Sequence, residues 1–292
     1  MEQAITTFRQ LYFACKSANK KIYEVALDFE ASKGEYSEYS VRLQAKKSLD
    51  AMKNAIKSGL ISTEPSPSGM SGDDCNKLQH KYKNSVSVLG ATAQKMMVYA
   101  LATSEQNLRM GTIVACPTAG SCGIVPSVLI AYAEDNNISE CEQINALITA
   151  GEVGRLVSNK MALAGAVGGC QAECGVAAAM ASAALTQMRG GSVKQIINAV
   201  ALALKNILGL TCDPVCGLVE IPCVKRNPFL AIHAVTASEL AMADIISKIP
   251  VDEVVDAMEQ TGKLMSPLLK ESSQGGLAKT KTAIALEKNI LK

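Results

Sequence analysis

Residues 161–188 read MALAGAVGGCQAECGVAAAMASAALTQM, an apolar run of nearly membrane-spanning length. Gln171 and Glu173 lie inside it, and glycine and alanine outnumber leucine and isoleucine, which makes a poor lipid-facing surface. A buried helix is therefore the better reading. Small side chains let neighbouring helices approach closely, so this segment is expected at the centre of a helical bundle.

The flanking segments agree with that expectation. Residues 139–158 and 192–208 have helical periodicity, and Gly209 stands where a left-handed cap would end the second. Helices are also expected over 124–133, within 85–108, and over 20–32 and 40–60, where apolar residues recur at three and four spacing. Proline, serine and glycine crowd 61–75 and predict a loop there. No run of alternating apolar and polar residues predicts strands. The fold class is mainly α: helices 1–60, a linker at 61–84, and an all-α domain at 85–292, either separate from the first helices or continuous with them.

With 292 residues and 48% hydrophobic content, the chain can bury a substantial core. Its 29 basic and 27 acidic residues leave a net charge of +2, and aromatics make up 4% with no tryptophan, so neither nucleic acid nor an anionic membrane is an expected partner. Residues 1–20 lack the apolar core and cleavage site of a secretory signal, so a cytoplasmic location is expected. In that reducing compartment, ten cysteines argue for metal binding or simple burial rather than disulfides.

Seven of the ten cysteines fall in three glycine-bearing stretches: Cys116 and Cys122; Cys170 and Cys174; and Cys212, Cys216 and Cys223. A single such cysteine reads best as a small buried hydrophobe. Seven together point to a metal centre whose ligands converge from separate elements. Zinc fits poorly, because no C-x-x-C pair occurs and His80 and His233 lie away from the cysteine pairs. His80 reads as a solvated loop residue and His233 as a satisfied helical one. An iron–sulfur cluster tolerates looser spacing, and three thiolates would leave one iron open as a Lewis acid. Spacing alone leaves the ligand set open. The stretch CPTAGSCG, 116–123, offers Thr118, Ser121 and the amides of Ala119, Gly120 and Gly123 before a helix, which suits a carboxylate or phosphate. A tight turn without a ligand is the plainer reading of it.

Taken together, PTAGSCGIVPSVL (117–129), GGCQAECGVAAAMA (168–181), GLTCDPVCGLVEIPCVKRN (209–227) and SSQGGLA (272–278) resemble the α subunit of the bacterial iron–sulfur-dependent L-serine dehydratases, two-subunit type. The resemblance implies a multi-helix catalytic domain with long motif-bearing loops converging on a 4Fe-4S cluster. It implies that Cys170, Cys212 and Cys223 hold the cluster, that the fourth iron takes the substrate hydroxyl, and that L-serine becomes pyruvate and ammonia. It also implies a β subunit carrying a histidine motif absent here. Cys116, Cys174 and Cys216 depart from the usual pattern, as do Ala172 and Lys225.

The resemblance leaves the α-proton base unassigned on this chain. Lys160 is a candidate if burial lowers its pKa, and Glu173, Asp213 and Glu220 are expected to orient ligands or make structural hydrogen bonds. The substrate carboxylate has the 118–123 loop and Arg226 as candidates, the latter through its planar fork. Two other readings stay open. One is a pyridoxal-phosphate-dependent amino-acid dehydratase with Lys160 as the Schiff-base lysine; the other is a non-catalytic iron–sulfur sensor subunit.

Overall fold

The structure is a computed structural model that describes residues 5–290. Thirteen α-helices and no strand occur among the described residues, in agreement with the mainly α reading. At the centre lies α9 (Val176–Met188), buried at every position from Val176 to Thr186. A helix apolar on all sides needs neighbours on all sides. Here they are α6 (Ile124–Asp135), α7 (Glu140–Ser158), α10 (Val193–Lys205) and α11 (Cys223–Met242). No described helix is long and apolar enough to cross a membrane.

Local signals set the helix starts. Ser192 accepts from the Gln195 amide while the Gln195 side chain accepts from the Ser192 amide, closing the first turn of α10 at both ends. Ser139 caps α7 in the simpler way, accepting from the Glu142 amide. Beyond α10 the chain turns through 206–208, and Gly209 adopts the expected positive φ of 86°.

The N-terminal helices share the bundle's core. α1 (Phe8–Ala18), α2 (Ile22–Ser32) and α3 (Glu38–Ile61) contribute Phe8, Leu11, Ile22, Leu49 and Met52 to the apolar cluster that contains α9. Asp252 of α12 (Val251–Leu264) accepts from the Phe8 and Arg9 amides at 2.9 and 3.0 Å, fastening the start of α1. The segment expected as linker is not all loop: α4 (Asp74–Lys81) lies within it and carries His80 on an exposed face. The buried Glu105 of α5 (Ala91–Leu108) accepts from the Asp74 and Cys75 amides at 2.7 and 3.2 Å, so α4 starts on a tertiary contact that its own polar sequence does not announce.

Two glycines test the packing. Gly59 of α3 lies against α5, where an added Cβ would stand 2.1 Å from the Ala102 carbonyl oxygen. Gly151 of α7 has nothing within 4 Å. Gly59→Ala is expected to lower the unfolding free energy by about 1–3 kcal/mol through backbone displacement. Gly151→Ala is expected to be neutral or to raise it by up to about 1 kcal/mol through helix propensity. Urea unfolding midpoints of the two variants measure the contrast.

Candidate active site

Four connections meet at the first turn of α11: 111–123, 159–175, 206–222 and 265–280. Their hydrogen bonds bring the cysteine-bearing stretches together. The Gln171 amide donates to Leu210 O at 3.0 Å, and the Gln171 side chain accepts from the Gly209 amide at 2.9 Å and donates to Met258 O at 3.0 Å. Cys212 makes an isolated parallel bridge with Lys270: its amide donates to Leu269 O at 2.9 Å, and the Glu271 amide donates to its carbonyl at 2.6 Å. Asn227 of α11 donates to Gly120 O at 2.8 Å and accepts from the Gly123 amide at 2.9 Å, pinning the 117–123 turn.

The expected single helix over 161–188 is not continuous: a four-residue helix, α8 (Gly165–Gly168), and one wide π-helical turn, Gln171–Gly175, precede α9, and such a turn is a local distortion that often accompanies functional sites. Cys170, Glu173 and Cys174 stand at i, i+3 and i+4 and so share a side. Cys170, Cys212 and Cys223 are all buried. The sulfurs of Cys170 and Cys212 and a carboxylate oxygen of Glu173 lie within 4.8 Å of one another. Cys223, the first residue of α11, is close enough for the charges of Cys170 and Glu173 to act on its thiol.

One cation organises these groups. Arg226 Nη1 donates to Cys170 Sγ at 3.0 Å and to Thr211 O at 2.9 Å, and Nη2 donates to Asp213 Oδ1 at 2.9 Å. Asp213 Oδ2 accepts from the Leu277 amide at 2.8 Å, tying in the SSQGGLA stretch. Hydrogen bonds from the Cys174 and Cys212 thiols, helped by Arg226, outweigh burial and hold Cys170 as a thiolate with a pKa of about 3. The same bonds push the Cys174 and Cys212 thiols well up. Burial pushes Cys223 up to about 12 and Glu173 up to about 7, against a hydrogen bond from Thr118 that lowers Glu173.

This donor set fits a thiolate-bound metal centre. One sulfur is already ionised, and its neighbours share protons that a soft metal would displace. An added Cβ at Gly165 would fall 3.0 Å from Cys212 Sγ and 2.8 Å from Glu173 Oε2, so the glycine keeps that space clear.

Several expected site residues have other tasks. Arg226 directs three of its five N–H donors to Cys170, Thr211 and Asp213, so its planar fork is turned to the thiolate and to Asp213. Ser121 is fully buried and donates to Cys116 O and Thr118 O, and the Gly123 amide is taken by Asn227. Thr118 is engaged with Ser121 and Glu173, so the backbone amides of Ala119, Gly120 and Ser121 remain; no hydrogen bond from those three amides occurs among the described residues. Lys160 is more than half exposed and pairs with Asp256 at 2.8 Å, which raises its pKa, the opposite of what a base or a Schiff-base lysine needs. His233 donates from Nε2 to Ala203 O at 2.8 Å. Glu220 accepts from the Ser66 and Ser68 hydroxyls, anchoring its loop to the 62–73 segment.

The extra cysteines separate. Cys174 joins the centre beside Cys170. Cys116 lies under the 117–123 turn, donating to Val114 O and Cys122 O. Cys216, at a positive φ of 59°, is part-exposed and feels the charges of Glu287 and Glu220 instead. Sequence reasoning missed Asn227 and Glu271; the helical spacing of Cys170 and Cys174 could have revealed their adjacency.

Fold and site thus define a helical protein with a buried, cation-supported thiolate centre at the meeting of its loops. The chain belongs to the family described as serine dehydratase alpha chain, whose model matches residues 17–278. It is 43% identical over 282 residues to the probable L-serine dehydratase alpha chain of Bacillus subtilis (strain 168), covering 97% of this chain and 94% of that one. It is 38% identical over 289 residues to the L-serine dehydratase alpha chain of Peptoniphilus asaccharolyticus, covering 99% of both. L-serine dehydratase TdcG of Escherichia coli (strain K12) is 43% identical over 183 residues, 62% of this chain and 40% of that longer protein.

Arg226→Gln removes the cation from Cys170. In metal-free protein, the midpoint of the pH profile for iodoacetamide alkylation of Cys170 is expected to rise by at least about one pH unit. Peptide mass spectrometry over a pH series provides the readout.

Proposed function

We propose that this chain is the α subunit of an iron–sulfur L-serine dehydratase, which converts L-serine to pyruvate and ammonia together with a β subunit. The observation that carries the reading is the gathering of Cys170, Cys212 and Cys223 from two sequence stretches around Arg226. Support comes from full-length relatives named L-serine dehydratase alpha chain. A chain named alpha implies a companion, and the longer TdcG extends well beyond the matched region.

In this reading Cys170, Cys212 and Cys223 hold a 4Fe-4S cluster. When bound, the cluster would supply an iron free of protein ligands as a Lewis acid for the serine hydroxyl. Arg226 adds to the hydrogen bonds from Cys174 and Cys212 that keep Cys170 ionised, and it fixes the direction of Cys170 through Thr211 and Asp213. The amides of Ala119, Gly120 and Ser121, held in place by Asn227, orient the substrate carboxylate. Loss of the α-proton and the β-hydroxyl gives aminoacrylate, which tautomerises to the imine and hydrolyses to pyruvate and ammonia. The proton acceptor is assigned to the β subunit, because His80, His233 and Lys160 are exposed or otherwise engaged.

Anaerobic protein reconstituted with iron, sulfide and its β partner is expected to absorb at about 400 nm and to release pyruvate from L-serine, losing both properties in air. A colourless protein that stays active under chelator would sink the reading. Cys170→Ser, Cys212→Ser and Cys223→Ser are each expected to lose iron, whereas Cys116→Ser, Cys174→Ser and Cys216→Ser keep it. Iron and sulfide assays on the six purified variants decide the ligand set.

A further inference from the structure

We infer that Glu173 receives the α-ammonium group of the substrate and thereby sets the preference of this site for 3-hydroxy amino acids over other 3-hydroxy acids. The inference rests on the dehydratase reading above and gives a role to a residue which that reading does not use.

Five carboxylates are buried among the described residues: Glu105, Glu152, Glu173, Asp213 and Glu220. Four have a full set of partners. Glu105 takes two amides and Arg109, Glu152 takes two bonds from Arg155, Asp213 takes Arg226 and an amide, and Glu220 takes two serine hydroxyls. Glu173 has only the Thr118 hydroxyl, and the nearest guanidinium, Arg226, has its terminal nitrogens engaged elsewhere. A buried carboxylate so short of donors calls for a cation from outside the chain.

Two glycines make room for this carboxylate. An added Cβ at Gly120 would meet Glu173 Oε1 at 2.1 Å, and one at Gly165 would meet Oε2 at 2.8 Å. In an α-amino acid the ammonium and carboxylate groups are joined through one carbon, so their receptors must be neighbours. Gly120 places unengaged loop amides directly beside Glu173, whereas a substrate carboxylate set against Glu173 itself would be repelled. In this orientation the ammonium faces Glu173, the carboxylate faces the 119–121 amides, and the hydroxyl is left to face the thiolate centre.

The test uses the reconstituted holoenzyme with its β partner, L-serine as substrate, and 3-hydroxypropanoate, which is serine without its amino group, as a competing probe. Glu173→Gln is expected to raise KM for L-serine by about 10- to 100-fold while changing the inhibition constant of 3-hydroxypropanoate by less than about threefold. Iron content and visible absorbance should stay at the wild-type level. Glu173→Asp, which keeps the charge on a shorter arm, should fall between wild type and Glu173→Gln in KM. If both ligands weaken in parallel, if iron is lost, or if kcat falls with KM unchanged, Glu173 is not the ammonium receptor. A wild-type holoenzyme that forms no pyruvate overturns the dehydratase reading, and this inference with it.

Discussion

The contact between the Arg226 guanidinium and the Cys170 sulfur governs this site. Nη1 joins Cys170 to the Thr211 carbonyl, Nη2 carries the link to Asp213, and Asp213 passes it on to the Leu277 amide. One side chain thus holds three connections that are far apart in sequence. A guanidinium suits this work because its donors lie in a fixed plane and its charge persists at every physiological pH. Burying a cation is costly unless anions meet it, and here Cys170 and Asp213 do so on different edges. The same arrangement makes one cysteine an anion while its neighbours retain their protons.

The bundle is shaped to let those connections meet. α9 is rich in alanine, and its neighbours approach closely enough that an added Cβ at Gly154 of α7 would lie 3.2 Å from the Met180 sulfur. Such packing leaves little slack, so the four connections have to join nearby helix ends. The π turn at 171–175 then offsets Cys170, Glu173 and Cys174 from the regular register of α9, without breaking the helix that buries the core. Backbone geometry and side-chain chemistry are coupled at this point. The turn that widens the helix supplies the Glu173 carboxylate, and the Cys170 thiolate stands immediately before it.

Much of the fold was legible because helical period and burial pattern coincide. The run at 161–188 announced a central helix through its small residues, and the amphipathic segments around it announced their neighbours. α4 was not legible: its sequence is polar, and its first turn depends on Glu105, thirty residues away. The cysteine stretches could be grouped by composition, and the family pattern suggested which belonged together. Partner choice could not be read that way. Whether Arg226 faces a substrate or a sulfur, and whether Lys160 is buried or paired with Asp256, depends on contacts between distant segments. Asn227 escaped for a related reason, since an asparagine following an arginine shows nothing of the two backbone groups it will bridge.

The charge distribution explains how so many potential anions share one buried centre. Several anionic groups around one guanidinium would repel if all were ionised. Protonation avoids this: Cys174 and Cys212 donate to the Cys170 thiolate, and burial raises the pKa of Glu173 to about 7. A metal bound there would take the place of the thiol protons, which would link its binding to proton release. The Glu173 carboxylate shares this protonated cluster and is fitted between Gly120 and Gly165, whose missing side chains leave it room.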